Sequence, residues 1–338
     1  MNIKFGLALD FWSTTKSLNH LLDDYVRILE IAESYGFDSV WAGEQGRLSS
    51  KPGHVPSPLL VLASLAKNTQ LRLGTGVTLL MLWHPLRLAH DVAVLDQISG
   101  GRFTLGAGVG NAEAMKRYGV STEEIAARMD EVLLFLKSVW SGEEEFEGKY
   151  ITVKGQLCPP PIQLGGPPIW VAGRIARSVE RAAKFGDGWY GATNHPFDLI
   201  EKQSIRYREL LSQQGKDPAN ATIVINRTTF LAETDKQARR ESEPYVTKLL
   251  HSYSKLGLIR DSHGVSLQPG PKMLEAVGDS MYFVGGPDRC FESICKYHEQ
   301  AGVSQINFRV SMADMPLEWV ERTVVLLGEE VLPRIKMS

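Results

Sequence analysis

Residues 71–110, LRLGTGVTLLMLWHPLRLAHDVAVLDQISGGRFTLGAGVG, read as a strand, a crossover helix and a second strand. Leu71, Leu73, Thr75 and Val77 alternate with Arg72, Gly74, Gly76 and Thr78, the period of a pleated strand. Two glycines so close together let another group, such as a flat ligand, approach the backbone. His84-Pro85 opens a helix in which Leu88, Val92 and Leu95 recur at helical spacing, and Ser99-Gly100-Gly101 closes it. Phe103 to Ala107 begins the next strand. A strand, a covering helix and a further apolar strand imply parallel pairing.

Outward from this unit the same alternation recurs. Strands are expected at Lys4 to Leu9, Ser39 to Trp41, Leu71 to Val77, Phe103 to Ala107, Ile169 to Ala172, Gly188 to Gly191, Ile223 to Leu231 and Gln305 to Val310. Helices follow at Leu18 to Tyr35, Pro58 to Lys67, Pro85 to Ser99, Thr122 to Trp140, Ile175 to Phe185, Phe197 to Gln214, Asp235 to Lys255 and Leu317 to Val331. Ser121-Thr122-Glu123-Glu124 looks like a capping box, and Phe146 to Val153 like a small hairpin. Eight such units fit an α/β fold of (β/α)8 TIM-barrel type better than a two-domain Rossmann arrangement. No linker divides the chain, so 1–338 is expected to be a single domain. The Gly-, Pro- and Ser-containing stretch 256–280 is expected to be an inserted lid over the strand ends.

The 338 residues carry a net charge of -2 and no run of Lys or Arg, which argues against a nucleic-acid partner. No apolar run is long enough to span a bilayer, and three cysteines without zinc spacing suit a reducing compartment, so a cytoplasmic protein is expected. His84 and His90 belong to no metal-ligand pattern, and His84 reads as a capping or packing residue. Gly106 to Gly110 resembles a dinucleotide fingerprint, but its third glycine comes one position early and no strong helix is expected beneath it. These glycines are instead expected to let the fourth strand pass beside a cofactor.

Gly173-Arg174-Ile175-Ala176-Arg177-Ser178 opens a helix directly after a strand, combining free N–H groups, two guanidinium groups and a hydroxyl. That combination suits an anion such as a phosphate, although arginines at a helix start can equally be solvated surface charges. Trp12, Trp41, Trp83, Trp170 and Trp189 stand at or near strands, where they could line an apolar pocket or serve singly as core. Asp10, Arg227 and Arg309 lie in or beside strands, where an inward charge needs either a ligand or a structural partner. The long loop from Ala42 to Ser57 carries Glu44, Gln45, Arg47 and His54 and is a candidate site loop. The helix Pro58 to Lys67 is apolar on nearly every side, so it and Pro85 to Ser99 are expected to meet a second subunit through Leu62 and Leu65.

With Gly74-Thr75-Gly76-Val77, Leu82-Trp83-His84-Pro85, Asp96-Gln97-Ile98-Ser99-Gly100-Gly101-Arg102-Phe103 and Gly186-Asp187-Gly188-Trp189 in view, the chain resembles the bacterial luciferase-like monooxygenases. Phe283-Val284-Gly285-Gly286-Pro287-Asp288, Ala301-Gly302-Val303 and Gly328-Glu329-Glu330-Val331-Leu332-Pro333 extend the resemblance to the end of the chain. It implies a barrel binding reduced FMN, or in a sister branch the deazaflavin coenzyme F420, against a bulge at Gly76-Val77 and beside Gly108. The phosphate would fall on Gly173, Arg174, Arg177 and Ser178. The implied activity is a flavin-dependent monooxygenation of a small organic substrate by O2, with a separate flavin reductase as partner and a homodimeric assembly. Deazaflavin-dependent hydride transfer and flavin binding without turnover are the alternatives.

The chain also departs from that pattern. Luciferases carry two histidines after the acidic residue that ends strand 2, and the deazaflavin branch commonly has Asp-His there. Here the place reads Glu44-Gln45-Gly46, so the family's catalytic imidazole is absent. A flavin-phosphate arginine near the end of strand 4 corresponds to Val109, and Arg174 and Arg177 would supply the missing charge. The run Leu79-Leu80-Met81-Leu82 resembles the flavin branch. Gln45, His54, Trp83 and Arg227 are the candidates for holding oxygen and substrate.

Overall fold

The computed structural model describes residues 1–44, 57–191, 193–255, 259 and 280–337. Gln45, His54 and all but the edges of the expected lid at 256–280 lie outside the described residues. Strands alternate with helices along the chain, and the fold class is a (β/α)8 barrel. The chain divides into two units, one of residues 39–190 and one of residues 1–38 and 191–338.

In the first unit the strand order is β2 (Ser39–Ala42), β3 (Arg72–Thr75), β5 (Phe103–Gly108), β8 (Ile169–Gly173) and β9 (Gly188–Gly191). The expected third strand is interrupted. β3 pairs Gly74 with Thr104, whereas the short β4 (Thr78–Leu79) pairs Thr78 with Ala107, so four steps on one side face three on the other. That extra residue is a β-bulge. The Gly76–Val77 peptide within it is cis. Where the ladder breaks, the Thr75 hydroxyl replaces it, donating to Gly106 O and accepting from Gly106 N, both at 2.9 Å.

Helix α3 (Pro85–Ser99) begins and ends where the sequence places it, with Gly100 in the left-handed region at φ 67°. The Asp96-to-Phe103 motif is structural. The buried Asp96 carboxylate accepts the backbone N–H groups of Ile162 and Gln163 at 2.8 and 2.9 Å, anchoring the proline-rich connector. The Arg102 guanidinium gathers the carbonyls of Ala66, Thr69 and Ser99. Helix α2 (Pro58–Leu65) corrects the expected outward face. Leu62 is 0% exposed and Leu65 1%, so both are core, while Leu60 at 74% points outward. An eight-residue apolar helix has no polar stripe from which its orientation could be read.

Two short helical features also differ. A helix α4 (Ala112–Arg117), capped by the Asn111 side chain accepting from Ala114 N at 2.9 Å, does follow Gly106 to Gly110. The expected capping box is not one, since α5 (Ile125–Trp140) starts after Glu124, a residue at φ 53°, and the Ser121 hydroxyl instead accepts from Glu123 N. The hairpin is present as β6 (Glu145–Glu147) and β7 (Thr152–Lys154), paired antiparallel.

In the second unit the order is β11 (Tyr282–Gly285), β10 (Ile223–Leu231), β12 (Gln305–Arg309) and β1 (Lys4–Leu9), all parallel. β11 was not among the expected strands. It pairs with the last four residues of β10, whereas β12 pairs lower down the same strand. One strand face carries Phe5, Phe308 and Phe283, packed with Phe37.

The inward charges of this unit have structural partners. Arg309 donates to Asp10 at 2.7 Å and to the Tyr253 hydroxyl at 2.9 Å. The Tyr25 hydroxyl donates to Asp10 O at 2.6 Å, and burial raises its pKa. Arg227 is fully buried, with its ring-facing guanidinium 4.9 Å from the Tyr297 centroid. It donates to the Tyr297 hydroxyl at 3.1 and 2.9 Å and to the carbonyls of Thr193, Asn226 and His195. These bonds give its donors partners within the fold, which is why a buried guanidinium is tolerated.

Replacing Arg227 with Met should therefore destabilise the protein by about 2–4 kcal/mol, since several buried acceptors lose their donor at once. Thermal unfolding checks this, with circular dichroism confirming that the variant still folds.

Candidate active site at the strand ends of β2, β3, β5 and β8

Trp41 sits under the bulge. Its ring occupies the space where a Cβ on Gly74 would stand, only 2.2 Å away, and a Cβ on Gly76 would lie 2.8 Å from the Tyr190 hydroxyl. Trp41 stacks on Trp170 with centroids 4.9 Å apart and tilts against Tyr190 at 5.8 Å. The flat group that the close glycines admit is thus first of all the protein's own indole. Gly106 and Gly108 serve a similar purpose. A Cβ on Gly106 would stand 1.8 Å from Thr75 O, and one on Gly108 2.7 Å from Val77 Cγ2, so β5 needs both glycines to lie against the bulge.

The residues after β2 clasp the other side. Gly43 lies against the Gly76 carbonyl, Gly76 N donates to Ala42 O at 2.8 Å, and Glu44 N donates to Val77 O at 3.0 Å. The Glu44 carboxylate accepts from Leu79 N at 2.7 Å and from the Trp83 indole N–H at 3.1 and 3.2 Å. Burial pushes its pKa from the ordinary 4.5 up to about 7, against the opposing effect of those two donors. A carboxyl that gains or loses its proton near neutral pH is thus built into the edge of the bulge. The neighbouring Thr78 hydroxyl is fully buried and, among the described residues, has no hydrogen-bond partner.

β5 pairs with β8, with Ala107 opposite Val171, which brings the glycine end of β5 beside Gly173. Helix α6 (Ala176–Phe185) then begins. Gly173 lets Ser178 fold back, since a Cβ there would stand 1.9 Å from the Ser178 side chain. The Ser178 hydroxyl accepts from Ile175 N at 3.1 Å and donates to Ile175 O at 2.6 Å. It therefore shapes the turn that leads into the helix. Arg177 is exposed in the first turn and Arg174 half-buried. The donor set of helix start and guanidinium groups suits an anion.

The tryptophans singled out by sequence each have packing or hydrogen-bond partners within the protein. Trp41 and Trp170 stack, Trp189 is wholly buried with its N–H on Gly173 O at 3.4 Å, and Trp83 is held by Glu44. In the other unit Lys248 lies over the Trp12 ring. Sequence reasoning placed Gly76, Val77, Gly108 and the 173–178 turn at strand ends, and the structure agrees for each. It underrated Glu44 and Tyr190. For Glu44 the available signal was a lone acidic residue between a buried strand and a Gly-rich loop. Among the described residues there is no cluster of metal-ligating side chains, and no helix is long and apolar enough to cross a membrane.

A (β/α)8 barrel with a glycine-lined bulge, a half-buried carboxyl and an arginine-flanked helix start at its strand ends has the architecture of enzymes that work on a ligand at that face. The chain belongs to the luciferase-like monooxygenase family, whose model matches residues 4–305. It is 29% identical over 245 residues to the oxygenase component of the flavin-dependent trigonelline monooxygenase of Acinetobacter baylyi, covering 71% of this chain and 67% of that one. The crystal structure of monooxygenase RslO1 from Streptomyces bottropensis superposes with a TM-score of 0.87 at 27% identity, covering 98% of this chain and all of the other. The coenzyme F420-dependent tetrahydromethanopterin reductase of Methanopyrus kandleri shares the fold, with a TM-score of 0.76 at 20% identity and 99% of each chain covered. The protein is an oxidoreductase of this family, whose members use flavin or deazaflavin.

Because Gly74 has no room for a Cβ, Gly74→Ala should displace Trp41 and lose the near-ultraviolet circular dichroism of the stacked Trp41–Trp170 pair. Retention of the native aromatic signal would contradict this packing.

Proposed function

We propose that the protein is a monooxygenase that takes reduced FMN from a separate reductase and uses O2 to oxidise a small organic substrate. The observation that carries this reading is the donor set along β3, β5 and β8: a bulge with a buried, unpartnered Thr78 hydroxyl, and a helix start flanked by Arg174 and Arg177. That set fits a ligand with a flat ring and a phosphate. The similarity to the flavin-dependent trigonelline monooxygenase supports flavin, as does the absence of an Asp-His pair after β2.

In this reading the backbone N–H groups at the start of α6 and the Arg177 guanidinium hold the phosphate, with Arg174 adding positive charge. Gly173 and Ser178 shape that turn. Gly76, Val77 and Gly108 give the ring a flat backbone surface to lie against. Bound FMN in its reduced form supplies the electrons that activate O2. The chain's part is to exclude water and place the substrate, with Trp83 closing one edge of the site under the hold of Glu44. Gln45 and His54 are the candidates for meeting oxygen and substrate where the luciferases have histidines. Arg227 contributes indirectly, by holding Tyr297 and the carbonyls around it.

Replacing Arg177 with Ala should weaken FMN binding roughly tenfold to a hundredfold, the worth of one charged hydrogen bond. Riboflavin, which lacks the phosphate, should be much less affected, and equal losses for both ligands would refute the phosphate assignment. Titration with F420 in parallel tests the deazaflavin reading: F420 binding without FMN binding, and no oxygen uptake with reduced FMN, would overturn the proposed function.

The same reading includes a homodimer. Leu60 on α2 and Val94 on α3 are exposed apolar side chains on two helices packed together, a surface that a second copy would cover. Leu60→Glu should shift a dimer to monomer in sedimentation. A monomeric unmodified protein at micromolar concentration would remove the dimer.

A further inference from the structure

Glu44 stands apart from the other carboxylates of the first unit. It is part of a closed clasp. Its backbone N–H is bonded to Val77 O, and its carboxylate takes the N–H of Leu79 and the indole N–H of Trp83. Three bonds from one residue therefore tie the end of β2 to both sides of the bulge and to the turn of 3-10 helix Leu80–Leu82 that carries Trp83. Both side-chain bonds have the carboxylate as acceptor. An ionised carboxyl accepts both with charge assistance, whereas a protonated one loses that assistance and sets an O–H against one of the N–H donors that face both of its oxygens.

The surroundings leave this carboxyl no ionic partner among the described residues. β2 contributes Ser39, Val40, Trp41 and Ala42, the 3-10 turn contributes Leu80, Met81 and Leu82, and the end of β5 contributes Gly108. None is charged. His84, the titratable residue after Trp83, is exposed. Burial, opposed by the two N–H donors, is what moves the carboxyl toward neutral pH, and among the described residues no charged side chain enters the balance.

We propose that Glu44 is an ionisable positioning residue of the flavin site, its carboxylate locking the Gly76-to-Trp83 segment and the Trp83 indole in place and releasing them when it takes up a proton. This rests on the flavin reading of the site for its consequence, and on the clasp itself for its physical basis. The locked form is the deprotonated one, so it is populated as pH rises through about 7. A site whose closing indole is released by a proton holds its ring ligand less firmly in acid.

The test uses the whole protein without added ligand, then with oxidised FMN. Tryptophan fluorescence of the unmodified protein should show a transition with a midpoint near pH 7. The transition should vanish in Trp83→Phe and in Glu44→Gln, persist in His84→Gln, and return with a shifted midpoint in Glu44→Asp. FMN affinity should rise across the same transition in the unmodified protein and be flat with pH in Glu44→Gln. Infrared difference spectra between pH 5 and 9 give a measurement that needs no variant to fold: a carboxyl C=O band should disappear with the same midpoint. A fluorescence transition that survives in Glu44→Gln, or the absence of both the transition and the carboxyl band, would overturn the proposal. Failure of the flavin reading looks different, as a protein whose Trp83 transition is intact but which binds no FMN.

Discussion

The close packing of Trp41 beneath the β3 bulge is the constraint on which the first unit depends. An indole ring pressed against a strand leaves no room for side chains there, so Gly74 is required, and Tyr190 imposes the same limit at Gly76. With the strand stripped of side chains and broken by an extra residue, its ladder to β5 fails for one step. The Thr75 hydroxyl takes over both lost backbone bonds to Gly106. β5 must then come close enough to meet that hydroxyl, and Gly106 and Gly108 are the residues that let it. Two aromatic side chains and the bulge they pack against thus account for the glycine requirements of β3 and β5.

Around that patch the charges are arranged by type. The guanidinium groups of Arg174 and Arg177 stand with the helix start after β8, whereas the Glu44 carboxyl at the bulge is half-buried with its pKa raised to about 7. Other strong ionic groups are committed to the fold. Asp96 and Arg102 bind connector backbone and loop carbonyls, Arg309 pairs with Asp10, and Arg227 is taken up by Tyr297 and three carbonyls. Family membership assigns an oxidoreductase.

Much of the architecture was legible in the sequence, because long periodic elements such as α3 and the nine-residue β10 carry their own boundaries. The bulge at Gly76-Val77 was legible through family resemblance, and the helix start at 173–178 through its glycine and arginines. Other features depend on contacts that local pattern does not carry. β11 is four residues long and finds its place only by pairing with the upper half of β10. α4 has six residues and rests on a single Asn111 cap. The outward face of α2 cannot be read from eight apolar residues, and the commitment of Arg227 rests on Tyr297, seventy positions away. Glu44 was visible as an acidic residue at the end of a strand, but its partners Leu79 and Trp83 are set by the bulge and not by neighbouring sequence.

The central claim is that the strand ends of β2, β3, β5 and β8 form one flavin site, with ring and phosphate held by different parts of it. A crystal structure of the protein with oxidised FMN bound tests this most directly. The account predicts the ring against the Gly76–Val77 backbone and the phosphate on the backbone N–H groups and Arg177 at the start of α6. A phosphate bound elsewhere, or a ring on a surface remote from the bulge, would contradict it.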